Sequence, residues 1–287
     1  MLRNSVVIIG LILLWFSPVH ATPLKGIVFA DTDQEDVNLT QEQPMGMLSL
    51  LLKHSAGSLE FEQQQVSFKR GWFELNRLGN ACMYNKFKSP EREKLGYFSK
   101  LPISIYPPLR LITLKKNAHL FPHPVDLTKP DTIAKHSIGV ALNRSYGDTI
   151  NAYIEQSPDL FFKRGGMDSS ETLIDMMAVG RVKAIIEYSE EVSAYLERNN
   201  KQLEFDTVMI RGVEKVDRGY MVCAKTPMGK QLIDRIDAIM QQKAFQQEYI
   251  EMHNEFFTQE ERLLLQPELL GIFENSESHS TPHSKSD

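Results

Sequence analysis

The chain is 287 residues long, 42% hydrophobic and 24% charged, and its 32 Lys and Arg against 37 Asp and Glu leave a formal net charge of −5. A mildly acidic, mixed charge balance lacks the basic footprint of a nucleic-acid partner and says nothing specific about a ligand. The length suits two lobes of roughly 100 to 150 residues or one large domain, and either buries an adequate core.

Arg3, an apolar run over residues 6–16, and the small residues Val19 and Ala21 form the three regions of a secretory signal peptide. The run is too short to span a bilayer, which takes about 20 residues. Residues 1–21 are therefore expected to direct export, with cleavage after Ala21. No Cys follows the run, so a lipoprotein anchor is not expected.

Beyond that segment, apolar runs and punctuating residues alternate. Residues 27–30 read as a strand, 46–53 as an apolar helix that Gly57 terminates, and 61–68 as a second strand. Residues 71–78, with Trp72, Phe73, Leu75 and Leu78, read as a helix covering a sheet. Residues 81–84 are short and apolar, as a buried strand is. Ser89 then caps a short helix that Pro90 starts, with Arg92 on its first turn, aimed off the end of the strand. Such alternation predicts an α/β lobe with a largely parallel sheet. Residues 109–115 are a strand on which the chain leaves this lobe, and Pro122, Pro124 and Pro130 mark a boundary after it.

Residues 137–147 read as strand, polar loop and helix start, with Ser145 as cap and Asp148 completing a capping box. Such a helix end offers N–H groups to an anion, and Arg144 beside it either adds positive charge or points to solvent. Asp168 and Glu171 read as a second capping box, opening a helix that stops at Gly180. Thr226 and Pro227 start a helix whose stripe is Leu232, Ile233, Ile236, Ile239 and Met240. The chain stays helix-like over residues 245–270. Residues 274–287 have no apolar side chain to join a core, which predicts disorder.

Residues 81–110, ACMYNKFKSPEREKLGYFSKLPISIYPPLR, resemble the family 3 solute-binding proteins, the polar-solute receptors of bacterial transporters. In that family a first-lobe strand leads to a Thr/Ser-x-x-Arg turn and then to Phe-Ser, here Ser89, Arg92, Phe98 and Ser99. Three further segments follow in the family's order. SIGVALNRSYG, residues 137–147, is similar to the opening of its second lobe, with Asn143 and Arg144 in place of Gly-Thr. GRVKAIIEY, residues 180–188, is similar to its Gly-Arg-Val-Asp-Ala strand, with Lys183 in place of Asp. GYMVCAKTPMGKQLIDRID, residues 219–237, is similar to the returning first-lobe strand and its helix.

The resemblance implies a two-lobed α/β fold of the type 2 periplasmic-binding-protein kind. Its first lobe spans residues 24–114 plus 217–273, its second lobe 115–216, and a ligand cleft lies between them. It implies a periplasmic, monomeric receptor that serves a membrane transporter or sensor and closes on its ligand by hinge motion. Arg92 corresponds to the Arg that forks onto a ligand carboxylate, with Asn85 as a hydrogen bonder, Phe87 as an apolar wall and Ser145 facing from the second lobe. Tyr188 stands about where amino-acid receptors of the family hold the ligand's ammonium with an Asp. Glu187 is one residue off, on the other face of a strand. Both an α-amino acid and a carboxylate-bearing solute with an aromatic or hydroxylated body therefore stay open as ligands.

Cys82 and Cys223, the two cysteines, lie on strands that the resemblance makes neighbours. They are either bridged or separate buried thiols. His119 and His123 are four apart with Pro122 between and no supporting cluster, so no metal is expected, nor any other cofactor. No Gly-x-Ser-x-Gly, phosphate loop or His-Glu-x-x-His occurs. The expectation is a receptor and not an enzyme. The alternative, a dehydratase-like cleft on the same fold, has only Glu187 as a nearby acid or base.

Overall fold

The computed structural model describes residues 22–30, 46–129, 133–166 and 168–277. The expected signal peptide with its cleavage point, and residues 278–287 of the expected tail, lie outside the described residues.

Strands and helices alternate first as β1 (Leu24–Ala30), α1 (Gly46–His54), β2 (Leu59–Gln65), α2 (Phe68–Arg77) and β3 (Ala81–Lys86). A helix after each strand returns the chain to the same edge, and β1 accordingly pairs in parallel with both β2 and β3. Helix α2 begins three residues before the expected Gly71, because the Ser67 hydroxyl accepts the Arg70 N–H at 3.4 Å and turns Phe68 into a helical residue. Helix α3 (Pro90–Leu95) starts as expected, with the Ser89 hydroxyl accepting the Arg92 N–H at 3.4 Å. Two short strands follow, β4 (Gly96–Phe98) and β5 (Ser104–Tyr106).

The second lobe contains β6 (Arg110–Leu114), β7 (Ile138–Ala141), α4 (Gly147–Gln156), β8 (Phe161–Arg164), α5 (Ser169–Ala178), β9 (Ala184–Glu187), α6 (Ser189–Arg198) and β10 (Phe205–Met209). Its sheet runs in the order β10-β6-β9-β7-β8. The chain returns as β11 (Asp217–Ala224), followed by α7 (Pro227–Met240), α8 (Lys243–Phe256) and α9 (Gln259–Glu277). Strand β11 enters the first sheet antiparallel to β3, giving the order β2-β1-β3-β11-β4, with β5 also paired to β11.

Two sequence expectations are corrected here. The end of the first lobe moves from residue 114 to the 107–109 stretch, because β6 hydrogen-bonds to β9 and β10 in the second sheet. Pro107 and Pro108 cannot donate to a ladder, which releases the chain from β5 before β6 begins. Residues 274–277, read as disordered, continue α9. That helix is anchored by Leu265, Leu269 and Phe273, spaced four apart, which bury into the first-lobe core with Tyr249 and Phe245 of α8.

Cys82 and Cys223 stand directly opposite each other in the β3–β11 pair and are bridged. Both are fully buried, so the bridge runs through the core of the first lobe.

Candidate functional site

A cavity of about 200 Å³ lies between the lobes. All seven residues singled out from the sequence as ligand contacts line it: Asn85, Phe87, Arg92, Arg144, Ser145, Glu187 and Tyr188. What each is doing there differs.

On the first-lobe wall, the Arg92 guanidinium lies 4.9 Å from the ring centroid of Trp72 and donates from Nη1 to the Phe87 carbonyl at 3.0 Å. A planar cation on an indole face keeps its orientation at low entropic cost. Asn85 sits in the left-handed region, at φ +54°, which Asn tolerates better than most residues. Its Oδ1 accepts the Ser104 hydroxyl at 2.7 Å. Gly219 on β11 makes room for that contact, since a Cβ there would stand 1.6 Å from Asn85 Oδ1.

The second-lobe wall is occupied with itself. Arg144 donates from Nη2 to Glu187 Oε1 at 2.7 Å and from Nη1 to Glu187 Oε2, and its Nη1 also reaches the Ser170 hydroxyl at 3.0 Å. The two side chains are 15% and 5% exposed. A guanidinium and a carboxylate so far removed from water pair bidentately, because either alone carries a large desolvation cost. Both therefore line the cavity as one internal ion pair, which corrects the reading of Arg144 as a solvent-pointing or ligand-ready charge and of Glu187 as a separate carboxylate.

Ser145 faces the cavity without capping a helix. Gly147 turns the chain through φ +79°, so α4 starts there, and its cap position, Tyr146, makes no side-chain cap bond. Asn151 reaches back instead, accepting the Tyr146 N–H at 2.9 Å and donating to the Ser145 hydroxyl at 3.0 Å. The Asp168 capping box likewise fails to close, because Asp168 accepts the Thr172 hydroxyl while Glu171 is drawn to Arg198.

Tyr188 donates its hydroxyl to Asp217 Oδ2 at 3.0 Å, and its ring lies 4.9 Å from that of Tyr106. Burial, and secondarily the Asp217 charge, hold its phenol well above the ordinary range. Asp217 Oδ2 also accepts the Leu109 N–H at 3.1 Å. Burial pushes this carboxyl up to about 6 against the opposing pull of those two hydrogen bonds.

Among the cavity residues that sequence reasoning missed, Trp72, Tyr106, Glu191 and Asp217 bear most on its chemistry. Two left a signal. Trp72 lies one turn after Phe68 on α2, and Glu191 lies in the first turn of α6, just past the strand end that was singled out. Glu191 is exposed, toward the cavity, and makes no hydrogen bond or ion pair among the described residues. Enclosure by protein raises its carboxyl, with the Glu187 charge adding to the effect. Phe68 itself reaches across from α2 and packs on the second-lobe core cluster that contains Leu173, Ile174 and Tyr195, so the lobes touch at the mouth. No trio of His, Cys, Asp or Glu among the described residues is placed to hold a metal ion, and none of their helices is long and apolar enough to cross a membrane.

No family profile and no curated protein sequence matches the chain. Solved structures do match. The chain is similar to a putative L-cystine ABC transporter protein from Listeria monocytogenes at 15% identity and a TM-score of 0.61, covering 84% of this chain and 98% of the other. It is similar to the probable amino-acid ABC transporter extracellular-binding protein of Bacillus subtilis at 16% identity and 0.59, covering 83% and 99%. A third match is an ABC uptake transporter substrate-binding protein from Streptococcus pneumoniae with bound histidine, at 16% identity and 0.58, covering 80% and 92%. The chain thus has the two-lobed fold of these extracellular binding proteins, the fold that the sequence resemblance implied.

Proposed function

We propose that this chain is an exported solute receptor that closes its interlobe cleft on a small, polar, carboxylate-bearing solute and presents it to a membrane transporter or sensor. The observation that carries the reading is the convergence of seven residues, from segments scattered over a hundred positions and from both lobes, on one cavity. Arg92 is the carboxylate fork, oriented by Trp72 and the Phe87 carbonyl. Asn85 and the Ser145 hydroxyl supply neutral hydrogen bonds, and Phe87 the apolar wall. Glu191 gives the second-lobe wall a carboxylate for any cationic group that the solute carries. Proteins of similar fold are described as binding histidine or as amino-acid transporter components, which favours a solute of that size and polarity. Export with cleavage after Ala21 is part of the proposal, since a receptor of this kind works outside the inner membrane.

The dehydratase alternative loses the residue on which it rested. Glu187 is tied to both terminal nitrogens of Arg144, so it is a counter-ion and not a poised proton donor or acceptor.

A thermal-shift screen of the mature chain against amino acids, organic acids and polyamines, followed by calorimetry on the hits, tests the reading. Arg92→Ala removes a charge-assisted bidentate contact and is expected to cost about 2 to 5 kcal/mol of binding free energy, a factor of at least ~30 in Kd. Arg92→Lys is expected to bind poorly too, since an ammonium cannot reproduce the fork. Unchanged affinity in Arg92→Ala with the fold intact would move the site elsewhere.

A further inference from the structure

We propose that Asp217 is a positioning residue at the hinge, tying both interlobe crossings to the second lobe, and that its charge acts as a brake on closure which acid releases. This rests on the reading of the cleft as one that opens and closes.

The chain passes between the lobes twice, over residues 107–109 and 210–216. Asp217 is the first residue of β11, where the return crossing ends. One carboxylate oxygen accepts the Leu109 N–H, at the end of the outgoing crossing, and the Tyr188 hydroxyl, from the second lobe. Tyr106, the last residue before the outgoing crossing, packs its ring on that of Tyr188. Any rotation of the lobes about the crossings must carry Tyr188 relative to Asp217, so the carboxylate sits where the motion is set.

The surroundings do little to compensate its charge. From the second lobe it is faced by Tyr188 and by Arg144 and Glu187, which neutralise each other. Glu214 faces it from the return crossing and adds repulsion, and Arg110 faces it from β6. Arg218, next on β11, is bound to Glu214 and Glu268, and Lys86 lines the same cavity from β3. Asp217 also borders a second cavity of about 290 Å³, which it shares with Phe87 and Arg218, so water reaches the hinge from two sides once the lobes part.

The sign follows. In the structure as it stands, with Phe68 bridging the lobes, burial outweighs the two hydrogen bonds and holds the carboxyl near 6, above its ordinary 3.8. Opening wets the group and lets it fall back toward that ordinary value, so closure takes up a proton below about pH 6. Acid therefore favours the closed form, and above that pH the ionised carboxylate opposes it. An amide in its place keeps an oxygen for both hydrogen bonds and carries no charge.

Small-angle X-ray scattering of the ligand-free chain between pH 7.5 and 5 reads the open-to-closed ratio directly. Wild type is expected to shift toward the compact form by about tenfold in that ratio as pH falls, part of the roughly hundredfold ceiling set by the gap between about 6 and 3.8. Asp217→Asn is expected to be compact throughout and to lose most of the pH response, the remainder belonging to the enclosed Glu191 carboxyl. Tyr188→Phe, which loses one hydrogen bond, is expected to be more open at every pH and to keep its pH response. A pH response undiminished in Asp217→Asn, or profiles identical for all three proteins, overturns the proposal. If Asp217→Asn fails to fold, Tyr188→Phe decides alone: a profile no more open than wild type overturns the hinge role. No solute enters these measurements, so their failure leaves the receptor reading standing, and a failed solute screen leaves the hinge result standing.

Discussion

Two arginines face the same cavity from opposite lobes under opposite terms. Arg92 reaches it from a six-residue helix, braced by an indole ring and a backbone carbonyl, on a lobe whose central strands are joined by a disulfide. Arg144 reaches it from a loop and is spent on Glu187 and Ser170. A position in the cavity therefore does not by itself make Arg144 available to a ligand. The first-lobe wall is supported from behind by covalent and packing constraints, whereas the second-lobe wall is supported by an ion pair within the cavity itself.

That contrast breaks most sharply at Glu187. Glu187→Gln leaves the Arg144 guanidinium buried without its counter-charge, and the expected loss is about 3 to 5 kcal/mol in chemical denaturation. Replacing both residues by Met is expected to recover most of it, because a buried pair exchanged for well-packed apolar side chains is close to neutral. A single variant as stable as wild type would mean that the pair is open to water and that Arg144 is available after all.

The first-lobe support is tested by Cys82→Ala with Cys223→Ala. The bridge closes a loop across 141 positions of sequence, and its removal is expected to cost about 2 to 5 kcal/mol. Hydrogen exchange should place the loss in β3 and β11. Loss of protection in the second lobe instead would show that the bridge does not act locally.

Gly219→Ala sharpens the comparison at the smallest scale. The new methyl collides with Asn85 Oδ1 and stands 2.6 Å from Ser104 Oγ, so the expected cost is about 1 to 3 kcal/mol. Asn85→Gly in the same chain is expected to return most of that stability, and a double variant as unstable as the single one would locate the clash elsewhere.

Much of this was legible in the amino-acid sequence, and what was not has a common cause. The strand–helix alternation of the first lobe, the Ser89 and Thr226 caps and the convergence of Arg92 with Ser145 and Tyr188 follow from local pattern and from the order of motifs. The Arg144–Glu187 pair does not, since it joins positions 43 apart whose distance is set by the pairing of β7 with β9. Asp217 shows nothing locally either, because its partners come from two other segments and only the hinge brings them together. The crossing at residues 107–109 was misplaced because a strand reads alike whichever sheet accepts it. Ser145 was misread as a cap because the left-handed turn at Gly147 is a backbone event that a capping-box spacing does not register.

The position of β11 has a consequence for how the chain is made. The second lobe is one uninterrupted stretch from β6 to β10 and can pair its strands as soon as it emerges. The first lobe cannot, because β11 belongs between β3 and β4, which precede it by more than a hundred residues. Until β11 arrives, β3 has an unpaired edge and Cys82 an unpaired thiol, so the half of the molecule that carries Arg92 is the last to be completed. Long-range pairing of this kind is slow and leaves a strand edge open to other chains in the meantime. Under the export proposed above, that delay is useful: an incomplete first lobe is easier to thread through a membrane than a finished one, and the bridge closes outside, where thiols oxidise.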